Sequence, residues 1–347
     1  MDFLRPEFEE AITPALDTSG VITIGRFSYT ASDVLNLAGK DAYQQAFDDW
    51  IWEEWIPTRS ERKNELLKLN SNASRYEDLK QMISSSRAIP FVGSGMSHPT
   101  GFPTWATFLR ETCKQTKGFT ATQLDSLLKA GDYETAASRV FGGMPPQLFN
   151  ERFEASFQLF PGRRIKGPVQ LLPFLFDSIA VTTNFDTILE NVYGSCDQTF
   201  QTVLHGLAIG DYRKKVALGA RCLLKLHGNY VETHGRVLLK DEYDAFYQTG
   251  CSGREELTLI FRRGGLVFLG CSLYQDRTMV LLKEIADSDK NMPRHYAFLQ
   301  KPKTEKQTKE REHFLTERNI FPIWYDGDHN DDIEALLVGL MEDLKKL

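Results

Sequence analysis

The apolar run Ala88-Ile89-Pro90-Phe91-Val92 stops at Gly93-Ser94-Gly95-Met96-Ser97. A short apolar run bounded by turn residues reads as a buried strand, and a helical pattern resumes near Thr104. Two glycines one residue apart, between a strand and a helix, let the backbone approach a pyrophosphate while helix-start N–H groups face the anion. Three other apolar runs end in a comparable way. Thr183-Asn184-Phe185-Asp186 follows the run starting at Ile179, His227-Gly228-Asn229 follows Cys222–Leu226, and Gly270-Cys271-Ser272-Leu273 follows Leu266–Leu269. In a parallel sheet with helices on both faces, ligands bind beyond the carboxyl ends of the strands. Four strand ends carrying amide, carboxyl, imidazole and hydroxyl groups therefore point to one composite crevice.

The elements that must position these groups alternate along the chain from Arg75 onward. Candidate strands are Ala88–Val92, Ile179–Thr183, Cys222–Leu226, Leu266–Leu269, Tyr296–Leu299 and Ile320–Trp324, each short, apolar and bounded by polar or turn residues. Helical patterns cover Tyr76–Ser86, Thr104–Gln115, Pro145–Leu159, Glu255–Arg263, Leu273–Asp287 and Asp331–Lys346. This alternation predicts an α/β fold, a Rossmann-like doubly wound parallel sheet. No convincing strand lies between Thr104 and Pro173, so residues of about 104–173 are expected to form a helical insertion of three or four helices. Residues 1–75 differ from the rest: Trp50, Trp52 and Trp55 sit in an acidic stretch, Asp33 to Trp55 has a helical pattern, and Ser60 to Ser74 reads as a boundary or loop. They are expected to form an ordered, mainly helical N-terminal extension, either an oligomer or partner surface or a layer on the same domain, ahead of a ligand-binding domain at 76–347.

The 347 residues are 41% hydrophobic and 25% charged, the balance of a globular protein that can bury a sizeable core. Net charge is −6, and residues 1–60 alone carry 11 acidic and 4 basic side chains, so the body gives no electrostatic case for nucleic-acid binding. No apolar run is long enough to span a bilayer, and Met1-Asp2-Phe3-Leu4-Arg5 lacks the order of a secretory signal, so a cytoplasmic location is expected. Cys113, Cys196, Cys222, Cys251 and Cys271 are scattered and contain no C-x-x-C pair, which argues against a disulfide framework and a structural zinc site. Asp326–Asp332 lacks calcium-loop spacing and reads as a solvated turn before the last helix.

Taken together, these motifs resemble the sirtuins. Gly93-Ser94-Gly95-Met96-Ser97 with Gly101-Phe102-Pro103 is similar to the signature Gly-Ala-Gly-x-Ser followed by Gly-Ile-Pro. Thr182-Thr183-Asn184-Phe185-Asp186 resembles the Asn-x-Asp element that contacts ribose and nicotinamide, and Lys225-Leu226-His227-Gly228 resembles the Leu-His-Gly element of sirtuin-like bacterial NAD hydrolases. Phe268-Leu269-Gly270-Cys271-Ser272-Leu273 is similar to the family's late glycine-serine turn near the adenosine end. The resemblance spans about residues 76–340. Deacylating sirtuins carry a four-cysteine zinc module that this chain cannot supply, and Thr104-Trp105-Ala106 stands where a basic residue usually follows. The resemblance therefore implies the branch that hydrolyses NAD+, many of whose members act in antiphage defence.

What it implies for the site is cleavage of the nicotinamide–ribose bond, with NAD+ as substrate and no metal. Asn184 would place water, His227 would act as base toward the ribose hydroxyl or the water, and Asp186 would orient the nicotinamide amide or the Asn184 loop. Gly93, Ser94, Gly95, Met96, Ser97, Phe102, Thr183, Gly270 and Ser272 would bind the dinucleotide. Six of these have a plainer reading: Asn184, Asp186 and Ser97 as helix caps, Phe102 as core, Ser272 as turn chemistry, His227 as a satisfied structural histidine. The resemblance also implies regulation through a homo-oligomer and a partner protein, a DNA-translocase ATPase first and a short Argonaute second. The rival expectations are a non-catalytic module that senses NAD or ADP-ribose and gates a partner, and a protein deacylase or ADP-ribosyltransferase.

Overall fold

The structure, a computed structural model, describes residues 1–17, 20–216, 220–274 and 276–347. The chain divides into two compact units, Met1–Asn64 and Glu65–Leu347. In the first, helices Arg5–Asp17 and Lys40–Trp50 pack through aromatic rings, with helix Ala31–Leu37 between them in the chain. Phe8 lies 5.5 Å from Tyr43, 5.4 Å from Phe47 and 5.6 Å from Trp50, centroid to centroid. The chain then runs through a π-helical turn, Ile51–Trp55, directly into the helix Ile56–Leu66. Trp50 and Trp55 are thus core residues, and the Trp55 indole donates to Glu7 at 3.1 Å, whereas Trp52 is exposed. A hairpin, Ile22–Ile24 with Phe27–Tyr29, completes this unit. Ser60 to Ser74 is not the loop its polarity suggests. It holds the end of one helix and, after a turn, the start of the next at Asn72.

The second unit is built on a seven-stranded, wholly parallel sheet. Its strands are β1 (Ala88–Val92), β2 (Ile179–Thr182), β3 (Thr202–His205), β4 (Cys222–Lys225), β5 (Gly265–Leu269), β6 (His295–Gln300) and β7 (Ile320–Tyr325), in the order β3-β4-β2-β1-β5-β6-β7. The order reverses at β1, so the crevice of a doubly wound sheet falls beyond the carboxyl ends of β1 and its neighbours. β1, β2, β4 and β5 are buried along their whole length, which is why each reads as a continuous apolar run. Pro90 lies inside β1 and has no N–H to give, and pairing with β2 begins only at Phe91.

The helices that matter to the site are α1 (Asn72–Ser84), α2 (Trp105–Cys113), α3 (Ala121–Lys129), α4 (Tyr133–Gly142), α5 (Pro146–Phe157), α6 (Ile188–Ser195), α7 (Lys240–Tyr247), α8 (Ser252–Arg263), α9 (Arg277–Ser288), α10 (Glu305–Thr316) and α11 (His329–Asp343). The expected helix at Leu273–Asp287 thus starts only at Arg277, and one residue of that span, 275, lies outside the described residues. The segment 104–173 holds α2 to α5, and an aromatic cluster joins α2 to α5, with Phe108 within 5.7 Å of Phe149, Phe153 and Phe157. Asp328 caps α11 by accepting from Asn330 and Asp331 N–H, so the acidic stretch there is a helix start. Among the described residues no helix is long and apolar enough to cross a membrane.

Candidate active site

A cavity of about 730 Å³ opens beyond the carboxyl ends of β1, β2, β4 and β5. Gly93, Ser94 and Ser97 line it from the turn after β1, and Thr183, Asn184 and Asp186 from the turn after β2. His227 enters from β4, and Gly270 and Ser272 from β5. Trp105, Glu134 and Phe157 of the helical insertion and Tyr243 and Tyr247 of α7 also line it. Gly95, Met96 and Phe102 are not among the lining residues. Met96 is fully buried, and Phe102 lies beneath the Arg163 guanidinium, 5.0 Å from its ring centroid.

The glycines let two turns touch. A Cβ on Gly93 would fall 2.5 Å from the Gly270 carbonyl oxygen, and one on Gly270, where φ is +67°, would fall 2.5 Å from the Met96 nitrogen. The N–H of Gly93 donates to Leu269 O at 2.8 Å and that of Gly95 to Gly270 O at 3.0 Å. Met96 and Ser97 N–H close the turn onto Gly93 and Ser94 carbonyls. Four of the turn's five N–H groups therefore serve the protein itself, and the spacing of the glycines answers first to the packing of β1 against β5. Across from it, Arg311 donates to the carbonyls of Ser272 and Leu273 at 2.6 and 2.9 Å. It thereby holds a turn in which Leu273 takes a left-handed φ of +51°, costly for a non-glycine residue.

After β2, hydrogen bonds fix the amide of Asn184 step by step. Thr182 Oγ1 donates to Val92 O at 2.8 Å and accepts from Asn184 N–H at 3.0 Å, and Asn184 Nδ2 donates to Ser97 Oγ at 3.0 Å. Phe185 also lines the cavity and packs on Phe153 and Trp105, at 4.8 and 5.5 Å, which anchors the segment to the insertion. Asp186 Oδ1 accepts from Ile188 N–H at 3.0 Å, a local turn that takes up the first N–H of α6. Burial pushes the Asp186 carboxyl up, opposed by the Lys225 ammonium and by hydrogen bonds from Ile188 and Ser97.

His227 is half-buried, and burial pushes its imidazole down to about 4, so the ring is neutral at pH 7. Its Nδ1 lies 3.3 Å from the Tyr243 hydroxyl, which burial keeps protonated, and its Nε2 has no partner among the described residues. Tyr243 and Asp276 are site residues that the sequence reading missed. Tyr243 is one of two tyrosines on α7, where only an amphipathic pattern is visible. Asp276 lines the cavity and caps α9 through Met279 N–H at 2.9 Å; a capping Asp just before a helical pattern was the available signal.

The turn at Gly270-Cys271-Ser272 also borders a second cavity of about 1150 Å³, beyond the carboxyl ends of β5, β6 and β7. Its wall includes Tyr274 and Phe314, with the Arg311 guanidinium 4.6 and 5.3 Å from their ring centroids. All five cysteines are free, and among the described residues no three His, Cys, Asp or Glu side chains form a group able to hold a metal ion.

Residues 178–323 match the family model of the SIR2-like domain. The match takes in β2 to β6 and most of β7, and with them Asn184, Asp186, His227, Gly270 and Ser272; Gly93–Ser97 and Phe102 precede it. It supports a sirtuin-like family and NAD-related chemistry for this part of the chain. None of the curated proteins matches the sequence.

Proposed function

We propose that this chain is an NAD+ hydrolase that cleaves the nicotinamide–ribose bond to give nicotinamide and ADP-ribose. The observation that carries the reading is the convergence of a braced amide, Asn184 on Ser97, with a neutral imidazole whose Nε2 has no partner among the described residues, at one cavity beyond the strand ends of a sheet that matches the SIR2-like model in part. In this reading the pyrophosphate lies over the paired turns at Gly93–Gly95 and Gly270. The nicotinamide riboside occupies the first cavity. The adenosine occupies the second, with the Tyr274–Arg311 stack as a face for the base.

Nicotinamide departs from a cationic ring as a neutral molecule, so no general acid is needed. The C1′–N bond breaks with its electron pair going to the pyridine nitrogen, through an oxocarbenium-like transition state. Asn184 holds the attacking water. His227, with its Nδ1 proton donated to the Tyr243 oxygen, accepts the water's proton at Nε2 as the new C1′–O bond forms. The aromatic wall of Trp105 and Phe157 keeps bulk water from the cation.

An ungated enzyme of this kind would drain its host of NAD+. The proposal therefore includes gating, with the chain acting in the cytoplasm as a homo-oligomeric antiphage effector. Its partner would be a DNA-translocase ATPase in preference to a short Argonaute, with the N-terminal residues as the contact surface. The test is incubation of the purified chain with NAD+, alone and with such an ATPase. Nicotinamide release is the expected result. Nucleotide binding with no release in any state would leave only a sensing module.

A further inference from the structure

We infer that Lys225 is the positioning residue that registers the Asn184–Asp186 segment with His227, an inference that rests on the hydrolase reading for its catalytic consequence. Lys225 is the last residue of β4, with 0% of its surface exposed, and it does not line the cavity. The register pairs it with Thr182, the last residue of β2, so its side chain starts beside the point where the Asn184 segment leaves the sheet. Its Nζ donates to the Asp186 main-chain oxygen at 2.5 Å and to Glu190 Oε1, in the first turn of α6, at 2.8 Å. One ammonium thus ties together the backbone that carries Asn184 and Asp186, the first turn of α6, and the strand that delivers His227 two residues later.

Packing gives no reason for a lysine at this place. Cys222, Leu223 and Leu224 fill the rest of β4 and are fully buried. Burying an ammonium costs several kcal/mol unless its hydrogen bonds are nearly ideal, so an apolar side chain would serve the core better. A sequence that breaks the local rule beside a site, and meets the cost with two contacts on the loop bearing the chemistry, is organised around positioning. The charge has a second effect, since it opposes the rise that burial imposes on the Asp186 carboxyl.

The test compares the wild-type chain with Lys225→Met, which keeps the stem and removes the ammonium, and Glu190→Gln, which keeps an acceptor and removes the charge, each in the presence of the activating ATPase. Two readouts are taken: nicotinamide release, and amide hydrogen exchange across residues 183–190. For Lys225→Met, kcat should fall ~100-fold with KM changed less than ~3-fold, the signature of lost orientation. Exchange in 183–190 should rise at least ~10-fold while β1 and β5 stay protected. Glu190→Gln should move both readouts in the same direction by a smaller factor, and it decides the matter if Lys225→Met does not fold. Wild-type kcat and unchanged exchange in a folded Lys225→Met, or in Glu190→Gln where that variant decides, would overturn the inference. A wild-type chain that releases no nicotinamide either alone or with the activating ATPase would sink the hydrolase reading instead, and the exchange comparison would still judge Lys225.

Discussion

His227 is pushed down to about 4 by burial, and this gives the proposed base an unusual pH signature. A free imidazole loses its basic form as pH falls through about 6.5. Here the basic form persists well below that, so kcat/KM should stay level from pH 8 to about 5 and fall on an acid limb near 4. A pH–rate profile with its limb near 6.5 would show that His227 is not the group titrating. Tyr243→Phe removes the hydroxyl that holds Nδ1 and should lower kcat by ~10-fold, less than the 10²–10⁴-fold expected for losing the base itself. Steady-state kinetics on folded variants checks both. At this scale Asn184, Asp186 and His227 were legible because each follows an apolar run, the place where an α/β sheet presents its ligands. Tyr243 was not, because a helix residue is brought to the site by tertiary packing that leaves no local trace.

The turns after β1 and β5 form one interlocked element. Gly270→Ala would force a Cβ to within 2.5 Å of the Met96 nitrogen at a positive φ, and Gly93→Ala would meet the Gly270 carbonyl oxygen at the same distance. Neither neighbour is a flexible side-chain end, so each substitution should cost at least ~2 kcal/mol, read as a lowered denaturation midpoint with unchanged m-value. The glycine pattern was visible in the sequence, but its first duty, contact between two turns far apart in the chain, was not. The strands follow the same division. Six appeared as buried apolar runs, whereas β3, Thr202–His205, escaped because it is a four-residue edge strand in which Leu204 alone is buried. Helix starts fared well where a capping side chain marks them, as Thr104 does for α2 through Thr107 N–H at 3.2 Å. The helix across Ser60 was obscured by its polar surface.

The whole molecule carries a pH liability in its sheet. His295 is fully buried on β6, where its Nδ1 accepts from Leu266 N–H at 2.9 Å, and burial pushes it down to about 3. The unfolded chain binds a proton at His295 and at His227 as pH falls below about 6.5, while the folded chain does not until about 3 and 4. The stability that these two neutral histidines contribute is therefore full above 6.5 and is lost as pH falls through that window. His295 alone should contribute on the order of 4 kcal/mol to the loss. Denaturant titrations of the wild type and His295→Asn between pH 7 and 4 should show a shallower decline in the variant. For the central claim, the decisive measurement is nicotinamide release from NAD+ by the wild type, Asn184→Ala and His227→Ala, each with and without an activating ATPase and each checked for ADP-ribose binding. The activated wild type should release nicotinamide, and both variants should lose at least ~100-fold with binding retained. Undiminished release in either variant, or none from a wild type that binds ADP-ribose, would contradict the central claim.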